Sequence, residues 1–274
     1  IEHDSVSRAA ESLHRVPSNV TARIKKLEQE LNVGLFLRTN NRLTVTSAGL
    51  RLLDYANQIL QLHKSAIAEL TQTEPSGLLR LGSMESSAAS RLPDILSAFH
   101  QHYHAVQVEL ITRASMPLIE KVIDGELDVV MAADPPDDPR LHCVACFDEE
   151  LVLIMPADWP DTDELPTSLT MVGYQKGCSY RHRLETWLKK HGHTCEKVIE
   201  IPSHFTMIGC VIAGMGIGMV PRSLLTLHQT SGLKIAPVNS DIANAPTYLV
   251  SRKDNPSSAI QAFISCSMEV AATV

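Results

Sequence analysis

A proline followed by apolar residues at helical spacing constrains the N-terminal part of this chain more than any other feature. Pro17 has no backbone N–H to lose and its fixed φ suits the first turn of a helix. After it, Val20, Ile24, Leu27 and Leu31 recur at intervals of four, three and four, the buried stripe of an amphipathic helix. The other face carries Ser18, Asn19, Thr21, Arg23 and Lys25. Upstream, SRAAESL (7–13) reads as a short helix with Ala9, Ala10 and Leu13 on one side, and His14-Arg15-Val16 breaks it. Two helices joined by a short turn, the second presenting small polar and basic side chains, form a helix-turn-helix. Such a second helix fits the major groove of DNA, with its N-terminal residues reaching base edges.

The next residues extend this pattern. Two β-prone runs, 35–38 and 42–45, flank Thr39-Asn40-Asn41, and Asn tolerates the left-handed backbone of a tight turn. The spacing predicts a hairpin, a wing that brings Arg38 and Arg42 near the DNA backbone or minor groove. Thr46 then caps a long helix in which Leu53, Ala56, Leu60, His63, Ile67 and Leu70 alternate at three and four residues. That heptad seam suits a dimerising coiled coil, or a helix laid against its own protein. TQTEPSG (71–77) has the composition of a linker.

Charge singles out the same segment. The chain of 274 residues has a formal net charge of −7, yet residues 15–42 carry six Lys or Arg against two Glu. A basic patch on an acidic protein is a local device for a polyanion, because the overall field would repel one. Aromatics make up only 4% of the chain, which argues against a stacking platform for single-stranded nucleic acid. Nothing at residues 1–4 has the basic end or apolar core of a signal peptide. The longest uncharged run, 201–221, holds Pro202, His204 and four glycines and reads as buried strand, loop and helix rather than a membrane span. Six cysteines are ordinary for a reducing compartment. The expectation is a cytoplasmic protein of several domains, with no membrane association.

The run SVSRAAESLHRVPSNVTARIKKLEQELNVGLFLRTNNRLTVTSAG (5–49) resembles the winged helix-turn-helix of LysR-type transcriptional regulators, with helix, turn, recognition helix, LEQEL and LT.T.AG in order. The family's first helix starts upstream of the matching residues, so the resemblance implies that its first turns precede Ile1. Where relatives often have Gln at the start of the recognition helix and Ser-Arg later, this chain has Pro17 and Thr21-Ala22. A bidentate contact to guanine therefore falls to Arg23 or is absent.

Beyond residue 78 strands and helices alternate, which indicates parallel or mixed sheets in two lobes. Strands are expected at 79–81, 106–111, 127–131, 151–155, 170–172, 198–201, 218–220 and 247–250. Helices are expected at 87–102, 116–123, 181–190, 206–213 and 257–268. The resemblance implies an α/β effector-binding domain like the periplasmic solute-binding proteins, with crossovers near Pro156 and Pro246. The domains expected are a winged helix at 1–46, a linker and dimerisation helix at 47–77, and an effector domain at 78–274. Within the last, lobe I spans 78–155 and 247–274, and lobe II spans 156–246.

Ligands on open α/β sheets bind at the carboxyl ends of strands, where helix N-termini offer unpaired N–H groups. Four junctions fit, holding Ser83, Met84, Glu85 and Ser86; Thr112; Cys178 and Ser179; and Ser203 and His204. Hydroxyls there serve equally as N-caps. Hydroxyls and helix N-termini suit a carboxylate, while Glu85, if it faces inward, calls for an amine; the two together favour a zwitterion or an amine-bearing metabolite.

Other chemistry finds less support. Cys143 and Cys146 form a CxxC, but on a strand positions i and i+3 point to opposite faces, so no metal site is expected. A thiol-oxidation switch, as in the peroxide-sensing branch of the family, would need a reactive Cys178 and a close partner, and 180–190 holds none. Gly214-Met215-Gly216-Ile217-Gly218 lacks the dinucleotide spacing and reads as a tight helix-to-strand connection. No catalytic serine motif is present, so no enzyme and no cofactor are expected. The resulting expectation is a regulator that binds double-stranded operator DNA, works as a homodimer or homotetramer with RNA polymerase as a candidate partner, and responds to a small-molecule co-inducer. The alternatives are a regulator sensing oxidation through Cys178, and a solute-binding protein without a DNA role.

Overall fold

Ser5 accepts a hydrogen bond from the Arg8 N–H at 3.2 Å and starts α1 (Val6–Ser12). In this computed structural model residues 5–39, 42–71, 74–255 and 257–273 are described, and the chain divides into two units, 1–64 and 65–274. His14 takes a left-handed backbone, φ 51°, and Pro17 opens α2 (Pro17–Leu31), so turn and second helix stand where the sequence places them. Asn32, also left-handed, ends α2. Strands β1 (Phe36–Thr39) and β2 (Arg42–Val45) pair antiparallel with Phe36 opposite Val45; the turn at 40–41 lies outside the described residues.

Two side chains lock this hairpin to the helices. Glu28 accepts the N–H groups of Leu35 at 2.8 Å and Phe36 at 3.1 Å, a structural duty that a count of charges misses. Thr46 donates to the Gly34 carbonyl at 2.8 Å and accepts from the Gly49 N–H at 3.0 Å, capping α3 (Ser47–Thr71) as expected. Any Cβ at Gly49 would sit 2.4 Å from the Leu35 carbonyl oxygen, so only glycine lets the hairpin approach α3 this closely. The stripe on α2 is graded: Val20 and Ile24 are half-buried, whereas Leu27 and Leu31 remain exposed.

The second unit holds β3 (Gly77–Ser83), α4 (Glu85–Ser90), α5 (Leu92–His102), β4 (Val106–Thr112), α6 (Ser115–Ile123), β5 (Val129–Ala133), β6 (Leu141–Phe147), β7 (Leu151–Pro156), β8 (Ser168–Gly173), α7 (Ser179–Lys190), β9 (Thr194–Glu200), α8 (His204–Ile212), β10 (Gly218–Pro221), α9 (Arg222–Leu225), β11 (Leu233–Pro237), α10 (Ser240–Ala243), β12 (Thr247–Arg252) and α11 (Ser258–Ala271). The first lobe is a five-stranded sheet in the order β4-β3-β5-β12-β6, parallel among β4, β3 and β5 and antiparallel at β12. Its middle strand β5 is buried on both sides. Val129 and Met131 face Leu81, Phe99 and Phe263, while Val130 and Ala132 face Leu118, Ile119 and Val122. A strand buried on both faces reads as a continuous apolar run, which is why Val129–Ala133 shows no alternation.

The second lobe centres on β7, antiparallel to β10 and β11 in the three-stranded sheet. The parallel pair β8-β9 lies beside it, joined through a bridge between Met171 and Ile217. This corrects one expectation: β7, counted in the first lobe, belongs to the second, so the first crossover falls before Leu151 rather than at Pro156. The second crossover does fall just before Thr247. The two run side by side, with the Ala245 N–H donating to the Glu149 carbonyl at 2.9 Å and Glu150 bridging Asn244.

Two further differences have local causes. The helix expected over 87–102 is broken at Arg91 (φ −120°), because Pro93 sits in the first turn of α5, where a proline starts a helix rather than continuing one. Strands β6 and β11 were not anticipated; β6 carries both Cys143 and Cys146, the first exposed and the second half-buried.

The glycine run 214–218 is the tight turn it was read as. Gly216 has φ 154°, and a Cβ there would lie 2.3 Å from the Thr170 backbone oxygen. Gly216→Ala is expected to cost about 1–3 kcal/mol in backbone strain alone, with the clash added. A urea titration would show this as a lower midpoint at unchanged slope.

Candidate functional site

The strands β3 and β4 end side by side, with Ser83 opposite Thr112, and the chain leaves them into the first turns of α4 and α6. Across from them β8 ends at Gly173 and leads through Tyr174 to α7. Between these ends lies a cavity of about 170 Å³ lined by Met84, Glu85, Ser86, Thr112, Arg113, Ala114, Tyr174, Gln175, Cys178, Tyr180 and Pro202. That volume is below the roughly 300–1,000 Å³ of sites for drug-sized ligands and suits a small metabolite.

The cavity brings together Met84, Glu85, Ser86, Thr112 and Cys178 from the sequence reading, and leaves out four others. Ser83 is fully buried beneath it and donates to the Met84 carbonyl at 3.0 Å. Ser179 donates to Asp134 instead and lines a neighbouring hollow. Ser203 is the N-cap residue of α8 but makes no side-chain cap bond, and His204 lies behind Glu85. Of these hydroxyls only Ser203 stands at an N-cap position, and it makes no side-chain cap bond; the N-cap residues of α4 and α7 are Met84 and Cys178, which carry no hydroxyl.

Glu85 links the lobes. Its Oε2 accepts the backbone N–H of His204 at 3.1 Å and also pairs with the His204 ring Nδ1. His204 in turn packs edge-on against His228, ring centroids 5.1 Å apart. Burial first, and then His204, hold the His228 pKa below its usual value. A second link stands at Asp134, which ends β5 in a left-handed conformation. Its carboxylate accepts from the Ser179 hydroxyl and from Arg183 at 2.7 and 3.1 Å. Burial works against its ionisation, but these bonds outweigh burial and hold its pKa below the usual 3.8. Arg183 also donates to the carbonyls of Ile242 at 2.8 Å and Asn244 at 2.7 Å, tying α7 to the second crossover. At the first crossover the buried Glu149 takes Arg91 at 2.7 Å and the Ser223 hydroxyl at 2.7 Å.

Sequence reasoning missed the tyrosines. Tyr174 and Tyr180 are buried, their rings 6.5 Å apart; among the described residues the Tyr174 hydroxyl has no hydrogen-bond partner, whereas the hydroxyls of Ser86 and Thr247 lie close enough to that of Tyr180 to act on its ionisation. Burial raises the pKa of both phenols, and the charge of Glu85 adds to the rise at Tyr174. A buried hydroxyl without a partner costs about 1–3 kcal/mol, which a ligand oxygen or nitrogen could recover. Tyr174 follows a strand end, the kind of position searched for hydroxyls, but a search for Ser and Thr passes over it. Cys178 borders the same cavity; burial raises its thiol pKa, and the Arg181 and Tyr180 N–H groups offset only part of that.

In the first unit the outward side of α2 forms a shallow concavity with Val16, Ser18, Asn19, Ala22, Arg23 and Lys26. Arg23 donates through Nε to the Asn19 side chain at 2.9 Å, and Thr21 returns its hydroxyl to the Pro17 carbonyl at 3.0 Å. Lys25 and Thr21 lie on the side toward the hairpin, with Glu28, Phe36 and Leu43. Lys26, not singled out in the sequence, joins the outward face, and Lys25 is exposed beside it. Arg38 and Arg42 lie on the hairpin strands, and their side chains fall outside the described residues. Among the described residues, no three His, Cys, Asp or Glu side chains converge as metal ligands, and no helix is long and apolar enough to cross a membrane.

A winged helix-turn-helix, a long helix and two α/β lobes around a cavity define a ligand-responsive DNA-binding regulator. Residues 1–50 match the bacterial regulatory helix-turn-helix protein of the lysR family, and residues 72–272 match the LysR substrate binding domain. The chain is 38% identical over 263 residues to the HTH-type transcriptional regulator YusT of Bacillus subtilis, covering 95% of this chain and 89% of YusT. It is 34% identical over 267 residues to the HTH-type transcriptional regulator SoxR of an Arthrobacter species, covering 96% and 91%. A full-length OxyR variant from Pseudomonas aeruginosa, 21% identical, superimposes with a TM-score of 0.71 over 98% of this chain and 89% of that one. The chain belongs to the LysR family of transcriptional regulators.

Proposed function

We propose that this regulator binds operator DNA through the outward face of α2, pairs with a second copy along α3, and is controlled by a small metabolite held in the cavity between its lobes. The observation that carries the effector reading is the buried phenol of Tyr174, unpartnered among the described residues, in a cavity at the carboxyl ends of β3 and β4. A closed protein core satisfies its polar groups; a binding site leaves them for its ligand. The lobes meet there through Glu85–His204, so a ligand touching both sides binds one lobe arrangement better than another, as a shift in assembly requires.

A thiol switch at Cys178 draws no support from its surroundings. The thiolate is the reactive form, and burial here disfavours it.

Thr112 lines the cavity from an exposed position, so Thr112→Trp fills it without disturbing the core. The low-mass fraction of a bacterial metabolite extract is expected to raise the melting temperature of the natural chain and to leave that of Thr112→Trp unchanged. Equal shifts in both would place the ligand elsewhere.

A further inference from the structure

The cavity combines opposite charges with buried hydroxyls. Glu85 and Arg113 both line it. Glu85 is fixed in place by His204 of the opposite lobe. Arg113 donates to the Thr112 carbonyl at 3.0 Å, and among the described residues no carboxylate pairs with it. The phenol of Tyr174 is buried and, among the described residues, without a partner, while Met84, Ala114 and Pro202 give the walls an apolar character.

Each simple ligand class leaves part of this unmet. A plain dicarboxylate sets a second negative charge beside Glu85. A plain amine leaves Arg113 unanswered, and a hydrocarbon leaves the Tyr174 phenol dry. We infer that the effector is a small zwitterion, its carboxylate held by Arg113, its ammonium by Glu85, and a polar atom of its side chain by the hydroxyl of Tyr174. This rests on the reading of the cavity as the effector site. The charged groups select for opposite charges on one molecule, and the Tyr174 phenol selects for a polar tip over an aliphatic one.

The test is calorimetry on the full chain with each protein amino acid beside its deaminated acid and its decarboxylated amine. At least one amino acid with a polar side chain is expected to bind, and its matched acid and amine to bind about tenfold more weakly or worse, the loss of one charged hydrogen-bonding partner. Glu85→Gln should bring the amino acid down to the affinity of its deaminated acid. Arg113→Gln, at an exposed position, should bring it down to that of the amine, and it keeps the test open should Glu85→Gln fail to fold. Tyr174→Phe should weaken it about tenfold. Deaminated acids that bind as tightly as amino acids, or a panel in which no amino acid binds, overturn the inference. Should deaminated acids bind as tightly as amino acids and Thr112→Trp abolish their binding, the zwitterion falls and the effector site stands. Should a ligand bind Thr112→Trp as well as the natural chain, the effector site itself falls.

Discussion

Leu60→Asp is expected to sediment as a monomer and to bind an operator of two half-sites about a hundred- to ten-thousand-fold more weakly, the avidity lost when two linked contacts become one. On α3 the side chains of Tyr55, Ile59 and Leu60 are 65%, 67% and 58% exposed, an apolar run that the single chain leaves in water. Of the seam read from the sequence, Leu53 and Ala56 are half-buried and Leu60, His63 and Ile67 are exposed; the side chain of Leu70 lies outside the described residues. Burying one Leu or Ile stabilises by about 1.5–3 kcal/mol, and each copy of a symmetric pair contributes its own. An aspartate facing its own symmetry mate forfeits that gain and adds an unpaired charge in an apolar seam. Sedimentation reads the oligomer directly, and a wild-type sedimentation coefficient for the variant would remove α3 as the pairing helix.

The double variant Arg23→Ala with Lys26→Ala is expected to lose at least about 1–3 kcal/mol of operator affinity while keeping its fold and oligomeric state. Arg23 spends only its Nε on Asn19, which leaves its two terminal nitrogens for a guanine edge or a phosphate. A base contact of this kind is worth about 1–3 kcal/mol and relaxes specificity when removed, whereas a phosphate contact weakens all sequences alike and lowers the salt slope by about one. Lys26 is held only by an exposed Glu30 at 3.7 Å, a pair too weak to compete with DNA. Gel shifts at two salt concentrations separate the two roles. Unchanged affinity would take the outward face of α2 out of the interface.

Local chemistry made the first unit legible. Pro17 at a helix start, the break at His14 and Thr46 as a cap are decisions taken within a few residues, so local sequence finds them. The lobe boundary was less legible because the edges of β7 are satisfied by β10 and β11, strands about 65 and 80 residues away, and nothing in the run Leu151–Pro156 records which sheet will accept it. The site divided the same way. Strand ends followed by helices pointed to Met84, Glu85, Ser86, Thr112 and Cys178, all of which line the cavity. Whether a hydroxyl at such a junction faces the cavity or a neighbouring residue depends on long-range contacts. Ser179 turns to Asp134, 45 residues away in sequence, and the phenol of Tyr174 marks a site only because burial leaves it without a partner among the described residues.

At the centre of the account is a ligand between the lobes that changes how the other unit engages DNA. The most direct measurement is footprinting of the natural chain and of Thr112→Trp on an operator selected from random DNA, with and without the metabolite fraction. The account predicts a changed footprint or affinity for the natural chain and none for Thr112→Trp, with ligand-free binding alike in the two. A natural chain whose footprint ignores every ligand that binds it, or a Thr112→Trp variant that responds as the natural chain does, would contradict it.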